Sequence, residues 1–146
     1  MAITSEICNS FKAEILKAIH NFTASSGDTF NLALYTSSAT LNKSTTAYAS
    51  TNEIANTSGS AYSAKGKALT SVTPVLSTDT AVCDFANASW SSASFTARGC
   101  LIFNDTATGD PSVCSIDFGG DKTVTSGTFT IEFPAASAGT AIVGIA

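Results

Sequence analysis

The chain has 146 residues, of which 44% are hydrophobic and only 12% carry a charge. A chain of this length fits one domain, residues 1–146, and such a domain buries about 70% of the surface that its unfolded state exposes. The formal net charge is −4 and Arg98 is the single arginine, so nucleic acid is not an expected partner. No stretch approaches the roughly 18 apolar residues that a membrane-spanning helix needs, so no membrane association is expected.

The first predicted element is an amphipathic helix over residues 4–22. Apolar residues recur there at three- and four-residue steps, and Thr4 or Ser5 can cap the start. The apolar stripe consists of Ile7, Phe11, Ile15, Ile19 and Phe22. Two interpretations stay open: the stripe packs on the domain's own sheet, or it docks onto a partner chain, as a terminal helix can.

A strand is predicted at residues 29–36, where Phe30, Leu32 and Leu34 alternate with Asn31, Ala33 and Tyr35. Residues 37–66 are rich in Ser, Thr, Asn and Ala and predict a loop-rich excursion. Its low charge is not typical of a solvated linker, so we expect it to lie against a surface. The candidate protein interface joins its apolar islands to the helix stripe and comprises Ile7, Phe11, Ile15, Ile19, Tyr48, Ile54 and Tyr62.

Short strands follow the excursion at regular spacing. The first is expected at Lys67–Leu76, with Leu69, Val72 and Val75 facing inward and Pro74 at a sheet edge. Trp90, the single tryptophan, is expected to anchor the core or an interface. Further strands are expected at 80–85, 88–90, 94–103, 113–118, 122–125, 128–133 and 141–145. The pattern predicts a mainly β fold, an antiparallel β-sandwich of jelly-roll or immunoglobulin-like type with one N-terminal helix.

The four cysteines are far apart and follow no metal-ligand spacing, so we expect buried thiols that act as small hydrophobic side chains. They are Cys8, Cys83, Cys100 and Cys114. A cross-strand disulfide between Cys100 and Cys114 is conceivable, since both flank the turn at residues 104–111. Simple hairpin pairing disfavours it, because it places Cys114 nearer to Ile102 than to Cys100.

No catalytic constellation emerges from the sequence. His20, the single histidine, falls near the predicted helix end, where a solvent-facing or capping role is expected. Asp117 and Asp121 flank two glycines, which favours a shaping turn over a cation site, and the same interpretation applies to Asp105 and Asp110. Glu53 and Glu132, the only glutamates in the predicted strand regions, have no sequence relation that would make them a glycosidase pair. We therefore expect no enzyme, no metal and no cofactor.

Several short motifs run through most of the chain. They are GDTF and NLALYT (27–36), GKAL (66–69), SFTARG (94–99), DFGGDK (117–122), GTFTI (127–131) and AIVGIA (141–146), together with FKAEIL (11–16) in the helix. In these motifs the sequence resembles a family of small virion proteins encoded by tailed bacteriophages and prophages. All of them combine a strand or helix with a turn, and none supplies a catalytic residue.

The resemblance implies a virion structural protein that is made in the host cytoplasm. The leading expectation is a capsid decoration, or cement, protein that binds the major capsid protein and further copies of itself on the outer surface of the shell. Related proteins are also described as tail components, so the alternative is a tail or tail-fibre module that contacts a receptor on the host surface. Cys100 and Cys114 depart from the small aliphatic residues more typical of the family, which suits buried hydrophobic roles.

Overall fold

The computed structural model describes residues 2–146 as two antiparallel sheets and one short helix. The elements are β1 (Glu6–Ile7), α1 (Asn9–Leu16), β2 (Phe30–Tyr35), β3 (Lys67–Ala68), β4 (Ser71–Ser77), β5 (Thr80–Phe85), β6 (Ala88–Asn104), β7 (Ser112–Ile131) and β8 (Val143–Ile145). One sheet has the order β1-β7-β6-β2-β3 and the other β4-β5-β8. The prediction of a mainly β, antiparallel, sandwich-like fold with one helix is confirmed.

Both sheets contribute to one hydrophobic core. Leu32 and Ile102 of the larger sheet share it with Phe85 and Val143 of the smaller sheet, and Phe11 of α1 joins the same cluster. The aromatic rings interlock, with Phe22 and Phe30 stacked at 4.3 Å between centroids. Trp90 is 3% exposed, which confirms its predicted role as a core anchor. This shared core explains why two small sheets are stable together, since neither could bury its apolar face alone.

The larger sheet is covered on both faces around β2. Phe30, Leu32 and Leu34 face the main core, whereas Ala33 and Tyr35 belong to a second apolar cluster on the opposite face. The loop-rich excursion supplies that second cover through Ala39, Leu41 and Tyr48. The expectation that the excursion lies against a surface is thus correct, and the surface is the chain's own sheet.

The helix is shorter than predicted. Residues 4–22 do not form one helix, because Glu6 and Ile7 pair with Ser115 and Cys114 as strand β1 and α1 spans only Asn9–Leu16. Its end is closed by Ala18, whose φ is +58°. Ala18 N donates to Ile15 O and Ile19 N donates to Glu14 O, the bond pattern of a Schellman motif. Pairing with a distant strand thus overrides a helix-like apolar period.

The strand predicted at Lys67–Leu76 is two strands in different sheets. β3 pairs with β2, and the chain then crosses to the smaller sheet, where β4 pairs with β5. Leu69 is buried at the crossing as expected, but Val72 and Val75 are 44% and 56% exposed instead of facing inward. β4 ends its sheet, so Pro74 lies on an edge strand as predicted.

The last third of the chain forms one long hairpin. β6 and β7 pair along nearly their whole length, where the sequence predicted several shorter strands. The register shifts between Ala97 and Gly99, whose partners are Lys122 and Asp117, so residues 118–121 form a bulge in β7 and not a turn between strands. Gly119 there has φ +78°, a conformation that glycine adopts without steric cost.

The bulge divides this hairpin into two parts. The proximal half contains Gly99–Asn104 and Ser112–Asp117, and the distal half contains Ala88–Ala97 and Lys122–Ile131. Smaller register shifts near Ala93 interrupt the distal half but do not break its pairing. Both halves thus belong to one continuous two-stranded ribbon.

Candidate functional site

The structure corrects the candidate interface at three of its seven positions. Phe11, Ile54 and Tyr62 are 3%, 7% and 1% exposed and belong to the main core, so they have no surface to offer a partner. Ile7 and Ile15 are partly buried against that core, and Tyr48 packs against the second cluster. Ile19 is 37% exposed. The helix stripe therefore serves mainly the chain's own core, the first of the two interpretations.

Glu53 binds two tyrosines inside the excursion. The Tyr48 hydroxyl donates to Glu53 Oε2 at 2.6 Å, and the Tyr62 hydroxyl donates to Oε1 at 2.7 Å. The Leu34 amide donates to the Tyr62 hydroxyl at 2.8 Å. Burial, with the adjoining carboxylate, raises the pKa of Tyr48 to about 12 and that of Tyr62 further. These hydroxyls stay protonated and fasten the excursion to β2.

His20 is buried, against the expectation of a solvent-facing or capping residue. Its ring lies among Phe11, Phe22 and Phe30. Nε2 lies 2.8 Å from Glu14 Oε2, and Nδ1 lies 3.2 Å from Asn104 Nδ2. The reason for the burial is the Schellman turn after α1, which directs the chain back under the helix instead of continuing it.

Asn104 organises the polar contacts around that histidine. Its Nδ2 donates to Asp28 Oδ2 at 2.8 Å, and its Oδ1 accepts hydrogen bonds from the amides of Thr106 and Ala107. The accepting role of Oδ1 fixes the amide orientation, so Nδ2 faces His20 Nδ1 and the ring hydrogen is assigned to Nε2, directed at Glu14. The cluster joins α1, the turn before β2 and the hairpin loop, and its role is structural.

Three ion pairs, made by two basic residues, hold the Asp-containing segments that were predicted to be turns. Lys65 Nζ lies 2.7 Å from Asp105 and 2.8 Å from Asp110, which closes the excursion onto the hairpin loop. Asp117 accepts hydrogen bonds from Arg98 Nε at 2.8 Å and from the Gly119 amide at 3.1 Å. Both contacts lower the pKa of Asp117, and the contact with the Arg98 guanidinium has the larger effect. Across residues 2–146, no group of three or more His, Cys, Asp or Glu side chains is arranged to hold a metal ion.

All four cysteines are free and buried. Ile102 lies opposite Cys114, and Cys100 lies opposite Ile116, so the pairing argument against a disulfide is confirmed. Burial raises the pKa of each thiol, to about 12 for Cys83. The thiols are therefore poor nucleophiles and act as packing groups.

The main surface feature is an apolar groove of about 820 Å³ beside β7, which we call the β7 groove. Partly buried apolar side chains line it, among them Ile7, Ile116, Phe118, Val124, Ile131 and Ile142. Lys122 and Glu132 are the charged residues on its β7 side. Ile7 is the one residue of the predicted interface that lines this groove.

The backbone edge of β7 next to this groove is largely unpaired. β1 covers only Cys114 and Ser115, and the Asp117 amide donates to Ser5 Oγ at 2.9 Å. From Lys122 to Ile131, β7 pairs with β6 on one side, and no strand of the part of the chain described here pairs with it on the other. An unpaired edge beside an apolar groove is typical of a site that accepts an added strand.

A second apolar surface lies on the smaller sheet. Leu76 and Ile145 are 74% and 53% exposed, and both pair with Ala81 between them. Val72 and Val75 extend this patch along β4. Pro74 and the register shift between Val72 and Val75 disturb the edge, which limits strand addition there.

Sequence reasoning missed the β7 groove because it divided β7 into three strands. The pattern predicted turns at three glycines, Gly119, Gly120 and Gly127. In the structure all three lie within one strand of twenty residues. A usable signal was present in the alternation of Thr with apolar residues from Thr123 to Ile131. The sequence does not show which strand pairs with each edge of β7, because β1 and β7 come together only in the folded chain.

No protein-family model matches the chain, and comparisons with curated proteins and with solved structures found no match. Within residues 2–146, no helix has the length and apolar character needed to cross a membrane.

Proposed function

We propose that this chain is a structural, protein-binding component of a tailed-bacteriophage virion. The observation that carries the proposal is the β7 groove together with the unpaired β7 edge beside it. An exposed edge is a liability in a protein that acts alone, because it recruits other strands. It is useful in a protein that works by assembling with others, which is also the role implied by the resemblance to small virion proteins.

More specifically, we propose a capsid decoration protein that binds the major capsid protein and copies of itself on the outer surface of the shell. The composition supports this, since only 12% of residues are charged and burying such a surface costs little desolvation of ions. The exposed hydroxyl side chains of the distal half, such as Thr96, Thr123 and Thr130, can bond a neighbouring chain. Many copies bound to a shell would stabilise it by mass action.

The experiment is to count this chain in purified virions by quantitative mass spectrometry, with the major capsid protein as internal standard. Hundreds of copies per particle support the decoration role. A few to a few tens of copies indicate the tail or tail-fibre alternative, and binding of the purified protein to host cells without binding to capsids would support that alternative further. Absence from the particle would overturn both.

A functional test follows from the same proposal. Virions that lack this protein should lose infectivity sooner on heating and on osmotic shock than wild-type virions. Addition of the purified protein should restore their resistance. Unchanged resistance without the protein would contradict a cementing role even if the protein is present on the shell.

A further inference from the structure

We infer that two copies of this chain associate through their free β7 edges, antiparallel and about a two-fold axis, to form one continuous sheet. The inference rests on the proposed function, because it takes the β7 edge as an assembly surface, and it deepens that function by naming a second copy as the occupant. A two-fold interface requires a surface that is complementary to itself. The β7 edge meets this requirement in backbone, side-chain pattern and charge.

The backbone of the edge calls for a polypeptide occupant. Between Lys122 and Ile131 one side of β7 has no strand partner among the described residues, so an occupant that displaces water from this edge must replace the hydrogen bonds of its outward N–H and C=O groups. A lipid chain or a small apolar molecule could fill the groove but could not satisfy a row of amides. Another strand satisfies both the edge and the groove.

The side-chain pattern of the edge is compatible with itself. Val124, Phe129 and Ile131 are partly or fully buried toward the core side, whereas Thr123 and Thr130 are exposed on the other face. When two strands pair, residues that lie opposite each other point to the same face of the sheet. In a register that sets Val124 opposite Ile131 of the second copy, Thr125 lies opposite Thr130, so apolar residues lie beside apolar residues and hydroxyls beside hydroxyls, both favourable cross-strand combinations.

The charges specify the direction of pairing. Lys122 and Glu132 flank a segment, residues 123–131, that contains no charged residue, and neither belongs to an ion pair within residues 2–146. The carboxylate before this segment, Asp121, interacts electrostatically with Arg98 of the same chain. Antiparallel pairing brings the Lys122 end of each copy to the Glu132 end of the other. Parallel pairing would bring Lys122 close to Lys122 and Glu132 close to Glu132 of the other copy. Because the interface is two-fold, each interaction between the copies occurs twice.

The first test reverses these charges in the full-length protein and measures association by sedimentation equilibrium. Lys122→Glu and Glu132→Lys should each raise the dimer dissociation constant about tenfold, since each replaces two attractions with two repulsions. The double variant should recover wild-type association. An equimolar mixture of the two single variants should also form a dimer, because both cross-copy pairs are then attractive.

The second test removes backbone donors at two consecutive positions. Thr123 and Val124 pair regularly with Thr96 and Phe95, so one of their amides bonds β6 and the other points to the open edge. Proline at the position whose amide bonds β6 should lower the melting temperature, because it removes a hydrogen bond within the sheet. Proline at the position whose amide points to the open edge should leave the melting temperature unchanged and abolish the dimer. Val72→Glu, on the exposed patch of β4, is the matched control and should leave association unchanged.

The inference is overturned if the wild-type protein sediments as a monomer at all concentrations. It is equally overturned if the dimer survives both charge reversals and both proline variants, since the interface then lies elsewhere. A monomer found in high copy on virions would contradict the inference and leave intact the part of the proposed function that concerns binding to the major capsid protein. A charge-sensitive dimer that is absent from virions would support the inference and contradict the proposed function.

Discussion

The two halves of the β6–β7 hairpin have the same kind of backbone pairing but opposite surroundings. The proximal half has β2 and β1 beside it and apolar cover on both faces, so that Leu101, Ile102 and Phe103 are fully buried. The distal half has one buried face, one exposed hydroxyl-rich face and a free edge on β7. The difference indicates a division of roles, with stability in the proximal half and binding in the distal half.

The largest expected effect is loss of a proximal core side chain. Phe103→Ala should cost about 3–5 kcal/mol of unfolding free energy, because it leaves a cavity in the second apolar cluster. Phe95→Ala in the distal half should cost less, since Phe95 is only partly buried. Urea denaturation of both variants measures the contrast. Equal losses would contradict the division of roles.

Removal of the Asn104 amide should have the next largest effect. Asn104→Ala leaves the amides of Thr106 and Ala107 without their acceptor and removes one of the two donors to Asp28 Oδ2, which should cost about 1–3 kcal/mol. The matched control is Asn87→Ala in the exposed turn before β6, where the side chain accepts one bond, from the Phe133 amide. Thermal unfolding of the pair measures the difference, and a control that is equally destabilised would argue against the Asn104 cluster as a structural junction.

Alkaline pH should weaken the cover that the excursion provides over the proximal half, through the tyrosines of the excursion. The pKa of Tyr48 is raised to about 12 in the folded chain from about 10 when unfolded, so the folded state holds its proton more tightly. The stabilisation is complete below about pH 10 and declines as pH rises through 12. Denaturation across this range should show the decline, and Tyr48→Phe should reduce its slope, the remainder coming from Tyr62, whose pKa is raised further. A wild-type stability that stays level to pH 12 would contradict the Glu53 contacts.

The smallest expected effect concerns the junction between the halves. Asp117 keeps a lowered pKa because Arg98 and the Gly119 amide bind it. Stability from this pair is present above the unfolded pKa of Asp and is lost as pH falls. Arg98→Gln should raise the Asp117 pKa, measured by NMR titration of the carboxyl carbon, with little change in melting temperature because the pair is exposed. An unshifted Asp117 titration would exclude the ion pair in solution.

Much of the fold could be predicted because alternation along β2 and the proximal hairpin is a local signal. Simple hairpin register predicts Ile102 as the neighbour of Cys114, and of the two roles predicted for Trp90, anchor of the core or of an interface, the structure shows the first. The predicted helix was too long because Ile7 matches the helical period of the apolar stripe, whereas in the structure it pairs with Cys114 as part of β1. Contacts between residues so distant in sequence leave no local trace.

The candidate site was harder to predict for a related reason. Apolar residues in the excursion, such as Ile54 and Tyr62, have the same pattern whether they cover the chain's own sheet or a partner. The β7 edge is open only because β1 is two residues long, and no property of β7 itself reveals that. Whether an edge or groove is open depends on what the rest of the chain fails to cover.

Hydrogen exchange along β7 tests the central claim most directly. In the free protein at low concentration, edge-facing amides between Lys122 and Ile131 should exchange quickly, while the amides of Val113 to Asp117 should stay protected. In the concentrated protein and in purified virions, the Lys122 to Ile131 segment should become protected. Fast exchange of that segment in every state would contradict the assignment of the β7 edge as the assembly surface.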